Sequence, residues 1–288
     1  MSQSENSRVS LMGAISIGVG GMVGGGIFAV LGLAAVQAGG ATPIAFLVAG
    51  VVALLTAYSY AKMSVTYPSR GGTVMIVDKA FGRGFLTGSV NSLLWIAYVV
   101  TLALYAVAFG NYAATFFAEN SRTGLLSHLL ISLGLILPTV LNLAGAELIS
   151  KAETYIVALK LLLLMVVIVF GVGSVETSRL ALSTWEAPLQ IVSAGMMIFV
   201  AYEGFELIAN TAEEIVDYKR TLPRAYYISV LFVIVIYVLI AVVVVGSLTP
   251  QKIASAEDFA LAQAAKPSLG EAGFTLVAVA AVLATLSA

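Results

Sequence analysis

The chain contains no cysteine and a single histidine, His128. Disulfides and thiolate metal centres are therefore excluded, and one histidine cannot build a histidine-rich metal site. Charge is almost as scarce. Asp, Glu, Lys and Arg together make up 10% of the residues, and the formal net charge is −1. So neutral a chain carries no electrostatic footprint for nucleic acid. No GxSxG or HExxH motif occurs, and the acidic pair Glu203 and Glu206 has no metal-ligating partner nearby in sequence, so neither an enzymatic function nor a cofactor is expected. Low-complexity tracts and linkers between soluble domains are also missing. The first ten residues, MSQSENSRVS, are polar, and the apolar run after them is far longer than the hydrophobic core of a signal peptide, so no cleavable leader is expected.

What remains is apolar: 60% of the residues are hydrophobic and the mean hydropathy is +1.03. Too little polar surface is left to face water, which makes this an integral membrane protein. About 20 residues of helix cross the hydrocarbon. On that rule spans are predicted near 11–38, 42–66, 84–118, 125–146, 152–173, 187–212 and 222–247, with an eighth beginning near Ala272 and cut off at Ala288. The third run is too long for the bilayer unless it tilts or projects. Residues 67–83 read as a short helix and loop, and residues 248–270 as an amphipathic helix outside the bilayer. With the N-terminus inside, nine Lys and Arg residues fall on the inner loops and four on the outer, so a cytoplasmic N-terminus is expected.

Residues 18–28, GVGGMVGGGIF, place six glycines in eleven positions of the first span. Each costs about 1 kcal/mol relative to alanine inside a helix. Close helix packing through GxxxG pairs is one reading. It does not account for Gly24, Gly25 and Gly26 in succession, which point about 100° apart around a helix. A break accounts for them better. Unwound backbone is tolerated in a membrane where protein or a water-filled cavity satisfies it. Its free N–H groups, backed by the N-terminus of the next half-helix, would suit a carboxylate. Inverted-repeat transporters carry matching breaks in both halves. Five spans on, IFVAYEGFELIANTAEE at 198–214 sets Gly204 beside Glu203 and Glu206 in apolar surroundings. A packing glycine is one reading there; a second break, whose carbonyls receive an ammonium, is the other.

Lys160 lies about eight residues into the apolar fifth span, in YIVALKLLLL. An ionisable group at membrane depth costs ~2.5–3.5 kcal/mol on insertion scales and is a functional candidate by default. The alternative is snorkelling, for which the depth of about 12 Å is too great. Balanced between desolvation and surrounding carbonyls, such a lysine could take and release a proton, or stand where sodium otherwise would. In the third span Asn91, Trp95, Tyr98 and Tyr105 share one helix face. Helix packing explains such a stripe; as a pocket wall, Tyr98 would be the member nearest the substrate.

These segments together resemble the amino acid–polyamine–organocation transporters, and within them the proton-coupled, sodium-independent, broad-specificity amino acid transporters of archaea and bacteria. The resemblance is carried by GGMVGGGIF, LLTAYSYAKM, LLWIAYVVTLALYA, KAETYIVALKLLLL and FVAYEGFELIANTAEEI…LPRA, in that order along nearly the whole chain. It implies an all-α polytopic membrane protein of the LeuT-like inverted-repeat fold, with helices 1 and 6 broken. The first repeat would occupy 11–173 and an incomplete second repeat 187–288, truncated within helix 8. It implies a permease that moves amino acids with protons across the plasma membrane by alternating access. By resemblance, the glycines of the first break, Gly24, Gly25 and Gly26, line the substrate site, with the Gly25 and Gly26 N–H groups on the substrate carboxylate. The carbonyls of Met22, Val200, Ala201 and Glu203 receive its amine, and Phe205 gates the pocket. Lys160 stands at the sodium position, with the carbonyls of Gly20 and Val23 and the hydroxyl of Ser287 as neighbours. Glu206 matches an acidic position of proton-sensing relatives. Glu203 replaces the apolar residue usual there, which points to cationic substrates or polyamines, to a second proton site, or to a side chain turned away while the backbone alone binds.

Overall fold

The computed structural model describes residues 9–118, 123–144 and 146–287, and among them no β-strand forms. Twelve α-helices follow one another in these residues: α1 Leu11–Met22, α2 Gly25–Ala38, α3 Thr42–Thr66, α4 Gly72–Phe81, α5 Phe85–Ala114, α6 Gly124–Ala144, α7 Ala146–Gly171, α8 Pro188–Ile198, α9 Leu207–Asn210, α10 Tyr218–Ser247, α11 Pro250–Ser255 and α12 Ala260–Ser287. Seven segments are long and apolar enough to span a membrane, and α1 with α2 forms an eighth span bent by 45°. This is an all-α polytopic membrane protein.

Local chemistry sets most of the ends. The Ser10 hydroxyl accepts from the Gly13 amide at 3.2 Å and starts α1. Pro43, Pro188 and Pro250 stand in the first turns of α3, α8 and α11, where no N–H partner is needed. The seventh span begins at Tyr218, a turn before the expected 222, because the Arg220 and Thr221 amides both donate to Asp217 and so already wind the chain ahead of Pro223. The fifth span likewise starts earlier than expected, at Ala146, almost directly after the fourth. Residues 248–270 do not form one amphipathic helix. They form α11, a 3-10 turn at Glu257–Phe259 and the first part of α12, which is interrupted at Gly270 (φ 64°) before the eighth span.

The core is an apolar cluster between α1, α2, α3, α8, α10 and α12, rich in alanine: Ala34, Ala45, Ala49, Ala53, Ala201, Ala225, Ala241 and Ala281 are all buried. Small residues let the backbones approach where the bilayer supplies no hydrophobic drive between helices. α10 runs along α3 and α1, α5 pairs with α6, and α12 lies against α7 and α5. At one end of this bundle Val9 forms a parallel bridge with Ile215, and at the other Gly39 bridges Trp185.

Candidate functional site: two helix breaks at the centre of the bundle

The first break falls at Val23–Gly24. The Val23 amide still bonds to Val19 at 2.8 Å, closing α1, and Gly24 is extended before α2 starts at Gly25. Each glycine of the run faces a different neighbour. A Cβ on Gly20 would lie 2.9 Å from Val157 of α7, and one on Gly21 would lie 2.8 Å from the Gly204 carbonyl oxygen. On Gly25 it would meet the Tyr105 ring at 2.8 Å, and on Gly26 the Ala201 Cα at 2.7 Å. The glycines thus serve close packing all around the helix as well as the break. These two roles were set against each other in the sequence, and the structure assigns both.

The second break lies in the sixth span. α8 tightens into a 3-10 turn at Phe199–Tyr202, Glu203 is extended, and Gly204 adopts φ 120° before α9. That φ belongs to glycine, and so does the space: a Cβ there would sit 2.3 Å from the Gly21 carbonyl carbon and 2.5 Å from the Met22 nitrogen. The two interrupted segments touch main chain to main chain.

Broken helices leave amides and carbonyls without intrahelical partners, and in a membrane each must find one. The partners are specific side chains. Lys160, fully buried, donates from Nζ to the Gly20 carbonyl at 3.0 Å and to the Ser287 hydroxyl at 3.2 Å. Tyr237 of α10, also fully buried, reaches both breaks: its hydroxyl lies 2.6 Å from the Met22 carbonyl and 3.1 Å from the Ala201 carbonyl. The Val200 carbonyl accepts from the Glu203 amide at 3.2 Å within the 3-10 turn. The Glu206 carboxylate accepts from the Gly204 amide at 2.7 Å and so satisfies a main-chain donor of the break itself.

Met22, Val23, Gly24, Gly25, Gly26, Ala201 and Phe205 are all buried at this junction, with Val200 partly so. The Glu203 side chain is not aimed between Gly25 and Ala201. It turns toward α5, where Oε2 accepts from the Thr101 hydroxyl at 3.2 Å. There Glu203 and Glu206 line a separate cavity of about 120 Å³ with Thr56, Tyr60, Tyr98, Phe199 and Phe205. Phe205 packs edge-on against Tyr60 with ring centroids 5.6 Å apart.

The stripe on the third span divides. Trp95 is 69% exposed and Tyr98 44%, whereas Tyr105 is 8% exposed and lies on Gly25. Tyr98 borders the carboxylate cavity with Glu203, Phe205 and Glu206, and Tyr105, two helical turns further on, lies against the glycine run at Gly25. Sequence reasoning missed Tyr237 entirely. Its only signal was a hydroxyl inside LFVIVIYVLIAVVVV, the most apolar stretch of the chain.

The comparisons agree with this architecture. The sequence profile described as "Amino acid permease" matches residues 9–288. The uncharacterized protein MJ0609 of Methanocaldococcus jannaschii is 34% identical over 286 residues, which is 99% of this chain and 65% of that protein. The inner membrane transport protein YbaT of Escherichia coli K12 is 34% identical over 284 residues, 98% of this chain and 66% of YbaT. The large neutral amino acids transporter small subunit 2 of Rattus norvegicus is 30% identical over 276 residues, 88% of this chain and 50% of that protein. The chain thus spans about two thirds or less of the length of these relatives. A profile match over nearly every residue, on a bundle of apolar spans, places the chain in the amino acid permease family.

Proposed function

We propose that this protein works as a secondary transporter that carries amino acids with protons, and without sodium, by alternating access, with its N-terminus in the cytoplasm. Family membership and the names of relatives support amino acids as the cargo. The carboxylate goes to the N–H groups of Gly25 and Gly26, beside Gly24, where the α2 N-terminus favours an anion. The ammonium goes to the carbonyls of Met22, Val200, Ala201 and Glu203.

The observation that carries the coupling is Lys160. A fully buried amine bonded to a carbonyl of the first break links its charge to the geometry of that break. When charged it donates to Gly20 and Ser287; when neutral it loses most of the attraction to both. Proton release would therefore loosen α7 and α12 from α1, and an ammonium held there leaves no room for sodium. Glu206, which holds the Gly204 amide, is the second proton-coupling candidate, and Phe205 gates the pocket from the side of Tyr60.

The test is uptake by the reconstituted protein into sodium-free liposomes under an imposed pH gradient. Accumulation driven by inward protons is expected, and Lys160→Ala should abolish or uncouple it. Transport that required sodium and ignored the pH gradient would refute the coupling.

A second reading, exchange of cationic amino acids or polyamines, is favoured by the Glu203–Glu206 cavity with its aromatic walls, which suits an organic cation. Glu203→Gln should then lower the preference for arginine over alanine in competition assays, and an unchanged preference would remove this reading.

A further inference from the structure

A cavity of about 420 Å³ lies between α5, α6, α7 and α12, and no residue of either helix break stands in its described wall. A space of that size holds a whole small-molecule ligand. The wall is mostly apolar. Leu102, Leu137, Leu141, Ile156, Leu283 and Leu286 line it, and no acidic or basic side chain is among the described lining residues. Gly134 and Asn142 mark its length, about 12 Å along α6. The unmet need in this wall is for a proton donor. Pro138 stands inside α6 and carries no N–H, so the Gly134 carbonyl lacks its helical partner. A helical carbonyl points along the axis toward the residue four positions on. Gly134 and Pro138 both border the cavity, so this oxygen opens on it. The two α12 hydroxyls in the wall have given their protons away: Thr285 donates to the Ala281 carbonyl at 2.8 Å and Ser287 to the Ala284 carbonyl at 3.3 Å.

We propose that this cavity is a second ligand site, distinct from the two breaks, and that it takes an uncharged, elongated apolar molecule with one hydroxyl, whose proton goes to the Gly134 carbonyl. Charge of either sign is disfavoured. An ammonium here finds no carboxylate in the wall and lies beside Ser287, whose oxygen already holds the Lys160 amine. At membrane depth such a charge is costly. A carboxylate offers the Gly134 carbonyl no proton. A hydrocarbon fills the space but leaves that carbonyl buried without a partner. A hydroxyl on an apolar body meets both needs at once. The occupant touches Ser287 and so sits one hydrogen bond away from Lys160.

The experiment measures saturable binding of radiolabelled para-hexylphenol and hexylbenzene to the purified protein by scintillation proximity. The two probes share one elongated body and differ only in the hydroxyl. The wild-type protein should bind both. Pro138→Ala supplies the missing N–H to the Gly134 carbonyl and removes a helix-breaking ring, so its folding is not at risk. It should bind para-hexylphenol about threefold to tenfold more weakly, the fold-change of one net hydrogen bond, with hexylbenzene unchanged. Leu137→Trp fills the cavity and should lose both probes. Comparing variants in one detergent cancels partition into the micelle. Saturable binding of neither probe to the wild-type protein would overturn the proposal. So would a Pro138→Ala variant that changed both probes alike or neither, or a Leu137→Trp variant that still bound both. Should Leu137→Trp not fold, Pro138→Ala decides alone. No amino acid enters the measurement, so a protein that bound para-hexylphenol in this pattern yet moved no amino acid would refute the transport reading and leave this site standing.

Discussion

Tyr237→Phe removes one oxygen atom and leaves the shape of a fully buried ring unchanged. The hydroxyl has a single proton and two carbonyl acceptors, Met22 at 2.6 Å and Ala201 at 3.1 Å. It satisfies one carbonyl fully and the other by electrostatic proximity. Its loss leaves both buried at membrane depth, where no water replaces it. A buried acceptor stripped of its partner costs about 1–3 kcal/mol, more than the net ~0.5–1.5 kcal/mol of an ordinary hydrogen bond. Tyr112→Phe is the matched control: it has the same chemistry and is fully buried, but its hydroxyl has no hydrogen-bond partner among the described residues to lose. Removing an unpaired buried hydroxyl is neutral or stabilising. The difference between the two variants should therefore be about 1–3 kcal/mol. At about 2–4 °C per kcal/mol in chains of this order of length, Tyr237→Phe should melt roughly 2–12 °C below Tyr112→Phe in the same detergent. Differential scanning fluorimetry on the two purified proteins reads this directly. If they melted together, the assignment of Tyr237 as the tie between the breaks would be wrong.

Gly204→Ala adds a Cβ at 2.3 Å from the Gly21 carbonyl carbon and strains φ 120°, so spans one and six must part. Backbone strain and overpacking each cost about 1–3 kcal/mol, and the variant should show a marked loss of monodisperse protein on size exclusion. Lys160→Met keeps an apolar stem of similar length but orphans the Gly20 carbonyl. It should lower stability by about 1–3 kcal/mol and lose proton-driven uptake; uptake that persisted with its pH dependence intact would separate Lys160 from coupling. Arg70 pairs with Glu214 at 3.0 Å and Glu213 at 3.7 Å, but its side chain is 71% exposed. Arg70→Ala should therefore change stability by no more than about 1 kcal/mol, with the effect vanishing in high salt, as chemical denaturation at two ionic strengths would show.

Much of this was legible before any coordinates. The spans follow from apolar runs, the first break from consecutive glycines, and the second from a glycine between two acids. The depth of Lys160 follows from counting residues into its span, and its placement beside Gly20 and Ser287 from a family resemblance rather than from the residues themselves. Other features were hidden for physical reasons. Tyr98 and Tyr105 share a helix face and lie about 10 Å apart along it. Which one meets the glycine run depends on where α5 crosses α2, a tertiary quantity with no local signal. The direction of the Glu203 side chain was equally hidden. It is set by an extended residue followed by a positive φ, and the turn swings the carboxylate toward Thr101. Tyr237 looked like one more large residue in an apolar helix, because the carbonyls it serves belong to segments 215 and 36 residues away.

The contacts that close the two ends of the bundle differ in kind from those at its centre. At the Val9 end the Val9 amide bonds to Glu214 and the Val216 amide to Val9, beside the exposed Arg70 pairs. At the other end the Gly40 amide bonds to Thr184 at 3.0 Å, and Arg179 reaches the Gly246 carbonyl at 3.1 Å. Both sets lie where water can replace a broken bond, so each is worth little net stability. The bonds at the breaks lie where water cannot, and there the loss of a partner has its full cost. The bundle is therefore tied most firmly at its middle. The groups that a ligand seated there must win from the protein are the Met22 and Ala201 carbonyls, both held by the Tyr237 hydroxyl. On the transport reading proposed above, the ammonium of the cargo is what compensates for unseating Tyr237.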